Sequence, residues 1–476
     1  MVWVLILWAA PGGRDDPRER LAAAVREARP AETRAALAAL LAGDHARAAR
    51  ALIAALPRAR DRIAALGTAS FQARMEYGRI DADFTFNPFE DRTRERELAE
   101  AREQVREAER RAVDAERMYD TLREAMGSLG PDGTEVLAAE AARTPSWLLR
   151  CELLEGLGAA GAREALLRFL DRRMPPAVLA AALAGAGHER AAEFLDHPQW
   201  QVRLAALRGL RGVRAAAGAI IARMADPDAR FRHEAAAVLR ETTGTDLPAD
   251  PEGWEGWWRA NGADFAAGRY DPRRHRAPAG PGRKLSFFEV PVASSRVCFV
   301  IDRSDSMRKE GRFARARAEL KRLLGEMPDG SRVNLLFFGE STSWFSRDLR
   351  VLDDAVRREA GDFIDRQRHD GGTDLHRALE KALLLVGSPE SGRLEREGPD
   401  TIVVLSDGRA TLGRLVDEEL LGRAIARRAR YLRPVFHTIG LCPGARSLEL
   451  LAALTGGEHR LHTGPQPGRP PPEGFR

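Results

Sequence analysis

Three short stretches carry oxygen-bearing side chains at spacings that could do chemistry: Asp302-Arg303-Ser304-Asp305-Ser306-Met307, Gly371-Gly372-Thr373-Asp374 and Ser406-Asp407-Gly408. Two of them follow short apolar runs, VCFVI at 297–301 ahead of Asp302 and TIVVL at 401–405 ahead of Ser406. Carboxylate and hydroxyl oxygens without histidine or cysteine suit a hard divalent cation, Mg2+ first, with Mn2+ or Ca2+ as alternatives. Asp302, Ser304, Ser306, Thr373 and Asp407 are therefore candidate metal ligands. Two carboxylates roughly balance a divalent charge, whereas neutral hydroxyls and water leave the ion electrophilic with one position open. An Asp or Glu of a protein partner could complete that shell through a charge-assisted contact.

Those five side chains meet only if the elements beneath them converge. From Arg296 onward, apolar runs at 297–301, 333–338, 401–405 and 435–439 alternate with helical stretches at 313–324, 355–366, 375–386 and 418–430. Runs that are apolar at every position are expected of strands covered on both faces. The alternation predicts an α/β domain, an open and mostly parallel sheet with helices on each side. Ligands of such sheets sit at the carboxyl ends of strands where the strand order reverses, and both aspartates fall at strand ends.

With the Gly-Gly-Thr loop between the D-x-S-x-S run and the Ser-Asp-Gly, residues 290–462 resemble a von Willebrand factor type A domain with its metal-ion-dependent adhesion site. The resemblance implies a doubly wound, Rossmann-like fold. It also implies that Ser304, Ser306 and Thr373 coordinate the cation through hydroxyls, while Asp302 and Asp407 act largely through bound water or as anchors. One departure stands out, since Asp305 replaces the small glycine common in the family. An added carboxylate there could tighten cation binding and weaken an anionic partner, or simply face solvent; Asp374 raises the same question.

The front half reads differently. Residues 17–130 are Ala- and Leu-rich with helical spacing, and 91–129 repeats by seven. Leu98, Val105, Ala112, Tyr119 and Met126 form one seam position, with Ala101, Ala108, Ala115, Leu122 and Leu129 forming the other. This coiled-coil segment suits packing on its own chain better than an oligomerisation arm, although self-association remains open. Over 131–262, Val202-Arg203 with Ala206 recurs as Phe231-Arg232 with Ala235 after Asp/Pro turns, resembling HEAT-type α-solenoid repeats. Trp254, Trp257 and Trp258 are expected to cap that core. A basic, Pro/Gly-bearing linker is expected over 263–289 and a disordered Pro-rich tail over 463–476.

Composition narrows the function classes. At 476 residues the chain has room for roughly three domains, and 30% charged with 6% aromatic residues favours helices. A net charge of +5 is small for this length, and without interleaved aromatics the basic linker is no argument for nucleic acid. Cys151, Cys298 and Cys442 lie far apart, so neither a disulfide scaffold nor a zinc spacing arises. His459 and His462 are three apart in an expected strand and would face opposite sides. The apolar run 2–10 is too short to span a bilayer but matches a signal-peptide core ending near residue 12, and no integral membrane segment follows. Export to the periplasm or cell surface of a bacterial-type cell is the expectation, with a cytoplasmic location if the segment is not a signal. The expected function is cation-dependent protein binding without catalysis, the helical repeats serving as scaffold or second surface. Two other readings stand beside it: a Mg2+-dependent phosphotransferase using Asp302 as nucleophile, against which Ser304 stands where a second carboxylate is wanted, and a metal-independent scaffold acting through the solenoid.

Overall fold

The computed structural model describes residues 16–82, 91–272 and 285–462. The expected signal segment, the Pro-rich tail and the arginine-rich stretch 273–284 lie outside the described residues. The chain divides into two compact units, one comprising Met1–Leu195 with Ala205–Val213, the other Asp196–Leu204 with Arg214–Arg476.

The first unit is helical. Its two long helices, His45–Ala82 and Asp91–Met126, lie antiparallel, as the bond from Arg102 Nε to the Tyr77 hydroxyl (3.0 Å) and the pair Arg74–Glu109 require. The heptad seam faces inward at Ala101 and again from Ala112 onward, where Ala112, Ala115, Tyr119, Leu122 and Met126 are buried. Apart from the buried Glu116, the charged remainder reaches solvent at least in part, so the narrow apolar stripe is consumed within the chain. Three helices are tied by one buried carboxylate: Glu152, on the helix Trp147–Ala159, accepts from Arg60 and from Tyr119. A buried charge persists only when paired in this way.

In the second unit, helices Ala229–Thr243 and Pro251–Ala266 precede the sheet. Asp228 caps the first of these by accepting from the amides of Arg230 and Phe231. The tryptophans do close a core: Trp254 and Trp257 are buried, with their rings edge-to-face at 5.9 Å and Phe265 at 5.6 Å from Trp257.

The main sheet has seven strands, here β1 (Arg296–Asp302), β2 (Arg332–Phe338), β3 (Thr342–Trp344), β4 (Arg350–Val351), β5 (Thr401–Ser406), β6 (Val435–Gly440) and β7 (His459–Leu461). Their order is β7-β6-β5-β1-β2-β3, with β4 also on β2. Strands β7, β6, β5, β1 and β2 are mutually parallel, and β3 and β4 add antiparallel edges. Continuous apolar runs have the expected cause. Val297, Phe299, Ile301, Val333, Leu335, Phe337, Val403 and Leu405 join one core with the helices Arg312–Glu326 and Asp354–Arg366. Residues of the other parity, among them Val300, Leu336 and Val404, are equally buried, and the helix Leu375–Leu384 packs against β1 and β2. The chain leaves β1 toward β2 on one side and later returns through β5 on the other. Strand order therefore reverses between β1 and β5, whose carboxyl ends carry Asp302 and Ser406-Asp407.

Candidate metal centre

Asp302 ends β1 fully buried, and both of its oxygens are held. Oδ1 accepts from the Ser304 amide at 2.7 Å, and Oδ2 accepts from the Ser406 hydroxyl across the β1–β5 boundary. Burial pushes its pKa up to about 6, with the Ser304 and Ser406 hydrogen bonds pulling the other way and the nearby Asp407 adding to the rise. The chain then turns through a 3-10 segment, Asp305–Gly311, pinned by Met307, which is fully buried in the core. This turn brings the two serines together, with Ser304 Oγ and Ser306 Oγ 3.0 Å apart. Ser306 Oγ in turn donates to Asp407 Oδ1 at 2.7 Å. Residues more than a hundred positions apart thus form one row: Asp302, Ser304, Ser306, Asp407.

The Gly-Gly-Thr loop is fastened to that row from three sides. The Asp370 amide donates to the Arg303 carbonyl (3.0 Å) and the Asp305 amide to the Gly371 carbonyl (2.9 Å). The Arg303 guanidinium, largely buried, reaches Asp370 Oδ2 and Ser341 Oγ, each at 2.9 Å. Hydrogen bonds from Ser341, more than the charge of Arg303, hold the Asp370 carboxyl below its ordinary range. Gly339 is obligatory here, because a Cβ at that position would lie 2.2 Å from the Asp370 carbonyl oxygen. Thr373 is buried; its amide donates to Thr411 Oγ1 at 2.8 Å, while its carbonyl accepts from the amides of Thr411 and Leu412. The third segment therefore arrives beside the other two through its backbone.

Arg312, the first residue of its helix, is a participant that the sequence gave no reason to single out. Its Nη1 donates to Asp407 Oδ2 at 2.7 Å, both side chains being buried. The doubts about added carboxylates resolve in opposite ways. Asp305 is exposed and paired with Arg308 at 3.0 Å, away from the row. Asp374 is buried but occupied, capping the helix Leu375–Leu384 through the Arg377 amide (3.1 Å) and pairing with Arg377 Nε (2.9 Å).

The donor set fits a hard divalent ion. Neutral hydroxyls and two carboxylates converge, one of them held by a cation already in place, and among the described residues no group of three or more His, Cys, Asp or Glu side chains forms a rival site. His459 instead bonds Thr438 Oγ1 at 2.8 Å, and the His462 ring lies edge-on to Phe288. Among the described residues, no helix is long and apolar enough to cross a membrane.

Residues 297–409, which include all five candidate ligands, match the von Willebrand factor type A domain family. The inter-alpha-trypsin inhibitor heavy chain 4 of Mus musculus is 29% identical over 126 residues, covering 26% of this chain and 13% of that protein. The chain thus spans only a small part of the length of the curated relative it matches. A von Willebrand factor type A structure from Catenulispora acidiphila overlaps 37% of this chain and 40% of its own at 20% identity, with a TM-score of 0.29. Proximal thread matrix protein 1 of the mussel byssus, with a zinc-occupied MIDAS motif, overlaps 35% and 41% at 16% identity, with a TM-score of 0.27. Residues 297–409 are thus the part of this chain that is similar to von Willebrand factor type A domains.

Proposed function

We propose that this domain is a divalent-cation-dependent protein-binding module, with Mg2+ the preferred ion and Mn2+ or Ca2+ able to replace it. The reading rests on one observation above all: Asp302, Ser304, Ser306 and Asp407 form a continuous hydrogen-bonded row at the switch point of the sheet. In it Ser304, Ser306 and Thr373 would hold the ion through their hydroxyls. Asp302 and Asp407 would anchor the shell and balance its charge. When bound, the ion supplies an electrophilic position that an Asp or Glu carboxylate of a protein partner can fill.

The rest of the chain's residues prepare for that contact. Ser406 and the Ser304 amide fix the Asp302 carboxylate, Arg312 fixes Asp407, and Arg303 with Asp370 holds the threonine loop in place. A nucleophilic role for Asp302 is disfavoured on the same ground, because a fully buried carboxylate with both oxygens engaged is poorly presented to a phosphorus centre. The reading is thus a binding module and not an enzyme. The helical segments, including the HEAT-like repeats over 131–262 and the coiled-coil hairpin, would act as scaffold or second interaction surface, in an exported protein whose self-association remains to be measured.

Calorimetric titration of Mg2+ into wild type, Ser304→Ala and Thr373→Ala tests the assignment. Both variants should bind the ion at least about tenfold more weakly while unfolding at the wild-type midpoint. Equal affinities in all three proteins would refute it.

A further inference from the structure

Building on the metal-site reading, we propose that the rim of this domain recognises an acidic protein segment carrying several carboxylates, not a single one. Asp302 and Asp407 contribute two negative charges to the row, and the buried Arg312 guanidinium on Asp407 offsets one. Counted over these three buried groups, a divalent ion therefore leaves a net positive charge, where two carboxylates alone would leave none. Such a centre still attracts anions after one partner carboxylate has bound.

The surface around it extends the same sign. Lys309 lies three residues beyond Ser306, Arg409 two beyond Asp407, and Arg414 on the loop whose amides grip Thr373; all three are exposed. Among the described residues neither Lys309 nor Arg414 has an ion-pair partner, and Arg409 reaches only the Gly444 carbonyl at 3.3 Å. Of the rim acids, Asp305 is engaged by Arg308 and Asp374 by Arg377, Glu310 shares Arg312 with Asp407 at 3.4 Å, and Glu340 lies beside Gly371, so the three basic side chains still outnumber the acids left without a cation of their own. Leu412, 38% exposed, stands between Arg409 and Arg414 and offers an apolar contact within the basic ring. Residues 305–312 and 408–414 contain no aromatic side chain, so the rim has nothing on which to stack bases and suits a peptide over a nucleic acid.

The test uses the full chain. Mg2+ affinity is first measured by calorimetry for wild type and for Lys309→Glu/Arg409→Glu/Arg414→Glu. Fluorescence polarisation at saturating Mg2+ and physiological salt then compares labelled Gly-Ser peptides bearing one glutamate or three, with an oligo-dT strand as the competing anion. We expect the three-glutamate peptide to bind about tenfold tighter than the one-glutamate peptide. The charge-reversed variant should lose that margin, and its Mg2+ affinity should not fall, since the added carboxylates repel no cation. Equal binding of the two peptides, a margin that survives charge reversal, or oligo-dT binding as well as peptide would each overturn the proposal. So would peptides that fail to bind while Mg2+ is held, an outcome that leaves the metal site standing. Failure of wild type to hold Mg2+ would instead remove the function proposed above, and this inference with it.

Discussion

Residue by residue, the centre is a competition for Asp407. Its Oδ1 takes the Ser306 hydroxyl and its Oδ2 the Arg312 guanidinium, so a cation bound as proposed would share this carboxylate with a resident one. Arg312→Gln should therefore bind Mg2+ more tightly, by roughly three- to tenfold at the effective dielectric of a partly buried site, and hold acidic peptide less well. Weaker Mg2+ binding in a titration of that variant would mean that Arg312 acts by orienting Asp407 and not by opposing the ion. The five candidate ligands stand out in the sequence because oxygen side chains at the ends of apolar runs are an unusual conjunction. Arg312 does not, for a guanidinium in an arginine-rich chain carries no mark, and its partner lies 95 positions away. Nor could spacing decide Asp305, whose direction is set by the turn of the 3-10 segment and the presence of Arg308.

Among the elements, the loops after β2 and before the helix Leu375–Leu384 leave little room for substitution. Gly339→Ala would force its Cβ against the Asp370 carbonyl and should cost about 1–3 kcal/mol of stability, with Mg2+ affinity falling because the Thr373 loop must shift. Thermal melts and titration of this variant check both effects; an unchanged affinity would separate the loop from the centre. Strand β6 carries a second constraint. His437 Nδ1 accepts from the Glu458 amide at 3.1 Å, and burial, aided by Arg230, pushes the ring down to about 4. Its folded pKa lies below the unfolded value near 6.5, so the group stays neutral in the fold and costs stability as pH falls from about 6.5 toward 4. In His437→Gln the denaturation midpoint should vary less over that window; parallel curves would exclude His437 as a source of acid sensitivity. Strand identities were readable here because burial on both faces writes an unbroken apolar run. The edge strands β3 and β4, two or three residues long, leave too little pattern to find.

At the scale of the molecule, the second unit joins helices to sheet through a buried ionic cluster. Arg296, at the start of β1, bonds Asp228 Oδ2 at 2.6 Å, and Arg230 donates to the carbonyl of Asp400, just ahead of β5. The Trp200 ring lies against both arginines, at 5.3 and 5.6 Å. Asp400, fully buried, is pushed upward by burial and by Asp228, against the pull of Arg296 and Arg230. A fragment of residues 285–462 would strip these charges of partners and should be less stable than residues 196–462 by roughly 3 kcal/mol or more. Matching urea midpoints for the two fragments would show the cluster to be dispensable. None of this was visible beforehand, because Arg230 and Asp400 are ordinary residues until the fold sets them side by side.

The placement of that cluster has a mechanical corollary. It grips β1 and β5 at their amino ends, while the candidate metal row sits at their carboxyl ends. A pull applied through a bound partner and resisted by the helices would run lengthwise along two adjacent parallel strands. The hydrogen bonds between them would then bear the load together in shear instead of parting one by one.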